Sequence, residues 1–214
     1  MTRIALIHAL AHSVEPINAE MARSWPEATC MNLLDDSLSA DLAREGRGLD
    51  AAMHRRFEAL AAYAESTGAQ GILFTCSAFD PCIEAVTARR PHMPVLKPNE
   101  AMIADVARVG GPVGLIASFG PTLESMPPEF PPGVQLHMAL ADGAMQALDR
   151  GDGADHDARV VAMARRLQAQ GCHVIALAQF SMARAAGAVA SATGLPVFTT
   201  PGSAVGLLRR RLAG

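Results

Sequence analysis

Gly68-Ala69-Gln70-Gly71-Ile72-Leu73-Phe74-Thr75-Cys76 and Gly171-Cys172-His173-Val174-Ile175-Ala176-Leu177-Ala178-Gln179 lie on one another without a gap. Each stretch runs from a glycine of the kind that ends a helix, through an apolar run that reads as a buried strand, to a polar residue. The match extends both ways. Met93-Pro94-Val95-Leu96-Lys97-Pro98 pairs with Leu195-Pro196-Val197-Phe198-Thr199-Thr200-Pro201 after one single-residue length change, and Ile4-Ala5-Leu6-Ile7 pairs with Val113-Gly114-Leu115-Ile116. Buried strands resemble one another by chance, but units in the same order at a near-constant offset point to an internal duplication. Cys76 and Gln179 then hold equivalent positions.

Strands are expected at 3–8, 30–34, 70–75, 93–97, 112–118, 134–139, 173–178 and 195–200. Helical periodicity falls between them, at about 14–24, 49–66, 80–89, 99–108, 121–127, 155–169, 181–192 and 202–212. Strict alternation of this kind implies right-handed crossovers and parallel sheets. The expected fold is α/β: two pseudo-symmetric three-layer α/β/α halves, each with a four-stranded parallel sheet. One half is 1–98 with a returning C-terminal helix at about 202–214, the other 99–201. Ligands of such folds bind outside the carboxyl ends of strands, and a cleft between the halves is the expected active site.

Composition narrows the function. Half of the 214 residues are hydrophobic, 18% are charged and the net charge is −3, so nothing in the charge balance favours a polyanion, and no nucleic-acid partner is expected. Arg209-Arg210-Arg211 is short and reads as a solvated helix face. The N-terminal apolar run is too short for a membrane span and lacks a signal-peptide cleavage site, so neither a membrane partner nor export is expected. Cys30, Cys76, Cys82 and Cys172 show no CxxC or metal-type spacing; they read as reduced thiols of a cytoplasmic protein without a metal site. The chain has no GxGxxG following a strand and no GxxxxGK[ST], so NAD and ATP are not implied, and no cofactor is expected.

The candidate site residues are those at strand ends. In Phe74-Thr75-Cys76-Ser77-Ala78 a thiol stands just before a helix start, where N–H dipoles favour thiolate, and Thr75 and Ser77 carry hydroxyls able to donate to an anion. Cys76 is the candidate acid–base group, although free cysteine also packs in cores. His8, at the end of the first strand, reads either as a cleft residue or as a satisfied structural histidine. Lys97 ends another strand and is a candidate partner for a substrate carboxylate. Asp35-Asp36-Ser37 suits a metal or amine at Asp36, or the solvated start of a helix or turn.

The Phe74-Thr75-Cys76-Ser77-Ala78 strand end, the paired Leu177-Ala178-Gln179-Phe180-Ser181-Met182-Ala183 and the two-fold βα order resemble the aspartate/glutamate/hydantoin racemase superfamily over essentially the whole chain. That resemblance implies a cofactor-independent enzyme that moves a proton at the carbon beside a carboxylate or carbonyl, using one cysteine from each half. It makes Cys76 the first cysteine and puts Gln179, flanked by Phe180 and Ser181, where the second should be. It also makes Ser118, Phe119 and Thr122 substrate-binding candidates. A neutral amide has no usable pKa, so two-base racemisation lacks one base. Arylmalonate decarboxylases of the same superfamily keep a single cysteine, on the opposite half, and isomerases of the maleate type use a cysteine as nucleophile. Proton transfer by Cys76, a single-cysteine decarboxylase or isomerase, and a non-catalytic small-ligand binder all remain open. Homo-oligomerisation is implied by the resemblance alone.

Overall fold

The computed structural model describes residues 2–45 and 48–213. The first strands and helices are β1 (Arg3–His8), α1 (Val14–Ser24), β2 (Thr29–Leu34), α2 (Ser37–Glu45), α3 (Ala51–Ser66), β3 (Gly71–Phe74), α4 (Asp80–Ala88) and β4 (Val95–Leu96). They are followed by α5 (Glu100–Val109), β5 (Val113–Ala117), α6 (Gly120–Ser125), β6 (Leu136–Leu140), α7 (Ala144–Asp149), α8 (Gly153–Ala169), β7 (Val174–Leu177), α9 (Ala186–Thr193), β8 (Val197–Thr199) and α10 (Thr200–Ala213). Short 3-10 turns at Ser77–Phe79 and Phe180–Ala185 follow β3 and β7.

The chain divides into two compact units, one running to Pro98 and resuming at Ala204, the other spanning Asn99–Ser203. Each contains one four-stranded parallel sheet, ordered β2-β1-β3-β4 and β6-β5-β7-β8, as the alternating pattern implies. The duplication holds bond by bond. Gln70 N–H donates to Arg3 C=O and His173 N–H to Pro112 C=O, both at 2.8 Å; Ile72 to Pro94 and Ile175 to Pro196, both at 2.9 Å. Helices α3 and α8 end alike. Ala69 N–H reaches Ala64 C=O and Gly68 N–H reaches Glu65 C=O, as Cys172 reaches Leu167 and Gly171 reaches Gln168. Both glycines adopt left-handed φ, +82° and +88°, which this termination requires.

Two short helices, α2 and α7, lie outside the expected set, and the segment expected as one helix over 181–192 is a 3-10 turn followed by α9. Asp50 caps α3 by accepting from Ala52 and Met53 N–H, each at 2.9 Å, and Asp152 caps α8 through Asp155 N–H.

Alternation along the strands sets what each sheet face buries. In the first unit Ala5, Ile7, Ala9, Ile72 and Phe74 meet Leu38 of α2, Met53, Phe57 and Ala61 of α3, and Ile83 and Val86 of α4. Phe57 stacks on Phe74 at 5.3 Å between ring centroids and lies 4.9 Å from Phe79. Cys76, two residues beyond Phe74, packs on this same face. At Gly71, an added Cβ would stand 3.1 Å from Leu208 and 3.2 Å from Leu212, so the bare backbone lets α10 close on β3.

Candidate functional site

Equivalent strand ends carry different chemistry in the two units. The matched bonds Thr75 N–H to Ile7 C=O (3.0 Å) and Ala178 N–H to Ile116 C=O (2.9 Å) fix the correspondence. His8 and Thr75 therefore match Ala117 and Ala178, and Ala9 and Cys76 match Ser118 and Gln179. The first unit puts its polar pair on one sheet face, at His8 and Thr75; the second puts its own on the other face, at Ser118 and Gln179.

His8 is fully buried, with Nδ1 2.9 Å from Thr75 Oγ1 and Nε2 2.9 Å from Asn32 Oδ1. The proton positions follow from a backbone carbonyl. Val14 C=O can only accept, so the atom of Asn18 it meets at 2.7 Å is Nδ2. Asn18 Oδ1 then accepts from Asn32 Nδ2 at 3.1 Å, which leaves Asn32 Oδ1 as acceptor for His8 Nε2–H. Burial pushes the His8 pKa below its ordinary value, more than the Asn32 bond raises it, so the ring is neutral and Nδ1 accepts from the Thr75 hydroxyl. Both ring nitrogens of His8 are thus satisfied within the first unit, as in a structural histidine. Thr75 gives its O–H to His8 and its N–H to Ile7 C=O.

Cys76 is partly buried beside a fissure lined by Ile7, His8, Ala9, Leu38, Phe57 and Phe74, too narrow for a water molecule. Desolvation pushes its thiol pKa up and the Asp80 carboxylate adds to this, while the Ala78 N–H and the Ser39 hydroxyl partly offset it. The thiolate expected from a helix start is therefore corrected to a thiol. The following turn is a single 3-10 turn, whose dipole is small, and the apolar Phe57 and Phe74 side outweighs it. Ser77 is partly exposed.

Lys97 does not stand open to a substrate carboxylate: its Nζ lies 2.9 Å from Glu84 and 3.3 Å from Asp80. Asp36 is exposed, whereas neighbouring Asp35 binds Arg56 at 2.8 Å and accepts from Ser37, so the two carboxylates do not form a joint site. Among the described residues no three His, Cys, Asp or Glu side chains are grouped to hold a metal.

In the second unit, Gln179 Oε1 accepts from Ser118 N–H at 2.6 Å and from Ser118 O–H at 2.9 Å. Ser118 is mostly buried and Gln179 partly exposed. Phe119 is half exposed, while Thr122, Phe180 and Ser181 are buried, Phe180 at 3% exposure. Asn18, Asn32 and Ser39 were not singled out from the sequence. Asn32 had a signal, a lone amide inside Cys30-Met31-Asn32-Leu33-Leu34; Ser39 sits on the unforeseen α2.

A sequence profile of the Asp/Glu/hydantoin racemase family matches residues 10–208, and the chain belongs to that family. No curated protein matches it in sequence. Among solved structures, an aspartate racemase homologue from Pyrococcus horikoshii superposes with a TM-score of 0.73 at 12% identity, covering all of both chains. Allantoin racemase from Klebsiella pneumoniae gives 0.71 at 18% identity, over 100% of this chain and 88% of that one. Glutamate racemase from Thermus thermophilus, in complex with β-chloro-D-alanine, gives 0.69 at 20% identity, over 99% and 80%. No described helix is long and apolar enough to cross a membrane.

Proposed function

We propose that this chain is a cofactor-independent enzyme that transfers a proton at the α-carbon of a small carboxylate or carbonyl compound, with Cys76 as its one acid–base thiol. The observation that carries the proposal is the pairing of Cys76 with Gln179 at equivalent strand ends, in a chain of the Asp/Glu/hydantoin racemase family whose fold neighbours include an aspartate racemase homologue, a glutamate racemase and an allantoin racemase. In the forward step the Cys76 S–H bond breaks, a C–H bond forms at the substrate carbanion, and thiolate remains; the reverse step takes a proton from the α-carbon and restores the thiol. A thiol whose pKa is raised by burial rests protonated and so is poised to donate. That favours, as a second reading, a lyase in which loss of carbon dioxide leaves its bonding electrons on the substrate and Cys76 protonates the resulting enediolate.

The test is exchange in D2O with D- and L-aspartate, D- and L-glutamate, allantoin and a substituted malonate. Wild type is expected to place deuterium at the α-carbon of at least one of them. Cys76→Ala is expected to lose about 10²–10⁴-fold of that rate. Exchange that survives in Cys76→Ala contradicts the assignment of the thiol. Binding of these compounds without any exchange favours a non-catalytic binder.

A further inference from the structure

Gln179 replaces a titratable group with an amide, and the amide is held in one orientation. The Ser118 backbone N–H can only donate, so the Gln179 atom 2.6 Å away is the oxygen, and the Ser118 hydroxyl donates to that same oxygen at 2.9 Å. Turning the amide over would set N–H against N–H at that distance. The backbone is held as well: Ala178 N–H donates to Ile116 C=O, and Gln179 C=O accepts from Met182 N–H at 3.0 Å. What remains is Nε2, whose two N–H groups meet no acceptor among the described residues, on a side chain that is partly exposed at the end of β7.

The unit that carries Cys76 lacks this device. There the matching residues are Ala9 and Cys76, so Ser118 and Gln179 differ from their counterparts as a pair. A lone surface glutamine would be free to turn. This one has its acceptor end satisfied twice by a mostly buried serine, and its donor end left open.

We infer that Gln179 is an acceptor-binding residue, its Nε2–H groups donating to a carboxylate oxygen of a small ligand, and that Ser118 is the positioning residue that fixes the amide for this task. The inference rests on the reading of the chain as a protein for small carboxylates and assigns the second strand end its part: it binds an oxygen and does not move a proton. A ligand offering only donors, such as an ammonium group, does not fit the open end.

The test uses the full chain labelled with 15N. The Gln179 side-chain NH2 pair is identified by its loss in Gln179→Met, and malonate, aspartate and glutamate are titrated in separately, with sodium chloride at equal ionic strength and neutral malonamide as controls. Wild type is expected to show a saturable shift of the Gln179 pair with at least one carboxylate and none with sodium chloride. A charged acceptor of this kind predicts affinity about tenfold weaker or more in Gln179→Met, and weaker still in Gln179→Glu, which adds a like charge. Ser118→Ala is expected to weaken binding and move the Gln179 pair even without ligand, with recovery in Ser118→Thr. A saturable response elsewhere in the chain with the Gln179 pair unmoved, or unchanged affinity in Gln179→Met, overturns this role and leaves the carboxylate reading standing. No response to any of the three carboxylates overturns that reading and the inference with it.

Discussion

Thr75→Val probes the buried relay beneath Cys76 with almost no change of shape. The variant deletes the hydroxyl that donates to His8 Nδ1 at 2.9 Å, and His8 has no exposed surface through which water could replace it. An acceptor stranded in such a place costs about 1–3 kcal/mol. Thr75 Oγ1 has an alternative partner in Ile7 C=O at 3.4 Å, too long to count for much in the balance. Valine fills the same volume, so no cavity contributes. The second unit shows that the backbone accepts an apolar pair here, since Ala117 and Ala178 stand at the matching positions. His8→Leu/Thr75→Val removes both partners, and Asn32, being exposed, regains its acceptor bond from water. The double variant is therefore expected to recover part of the loss, a coupling of about 0.5–3 kcal/mol. Urea unfolding followed by the fluorescence of Trp25, the single tryptophan, reports on the first unit, where these residues lie. With a slope of about 2 kcal/mol/M, the midpoint of Thr75→Val should fall by roughly 0.5–1.5 M. An unchanged midpoint, or a double variant whose loss is the full sum of the single losses, refutes the relay.

Three further outcomes follow from the same geometry. His8 has a folded-state pKa below its unfolded value, so the unfolded chain binds the extra proton first; its contribution is complete above about pH 6.5 and is lost as pH falls below that toward the folded pKa, at up to about 1.4 kcal/mol per pH unit, which urea midpoints from pH 8 to 5 will read. Cys76 is expected to react slowly with iodoacetamide at pH 7.5, and Asp80→Asn to accelerate it, because removing a nearby negative charge lowers the thiol pKa and each unit raises the thiolate fraction about tenfold; an unchanged rate contradicts the electrostatic account. Gly71→Val drives branched carbons against Leu208 and Leu212 and should cost about 1–3 kcal/mol in thermal or urea unfolding, whereas Val174→Ile, at the matching position, tests whether the second unit is less tightly closed there.

The sheets were legible because buried parallel strands write themselves as apolar runs, and Gly68 and Gly171 because only a left-handed residue closes α3 and α8 in that way. Helices α2 and α7, of nine and six residues, were not among the expected helices, although Asp35-Asp36-Ser37 offered a helix start where α2 begins. At the site, chain position located Cys76 and Gln179 but not the state of either. Thr75 and Cys76 are neighbours in sequence and point to opposite faces of the sheet, which adjacency alone does not reveal. The thiol was read from its nearest helix start, whereas its environment is set by Phe57, Leu38 and Ser39, contributed by α3 and α2 from far along the chain. Lys97 looked open at a strand end because its partners, Asp80 and Glu84, lie on the preceding helix.

The central claim is that one titratable group, Cys76, delivers the proton. Stereochemical analysis of the product formed in D2O tests it most directly, with deuterium position read by mass spectrometry and handedness by chiral chromatography. The account predicts that wild type puts deuterium into a single enantiomer and that Cys76→Ala loses the reaction. Equal labelling of both enantiomers by wild type, or by Cys76→Ala, contradicts it.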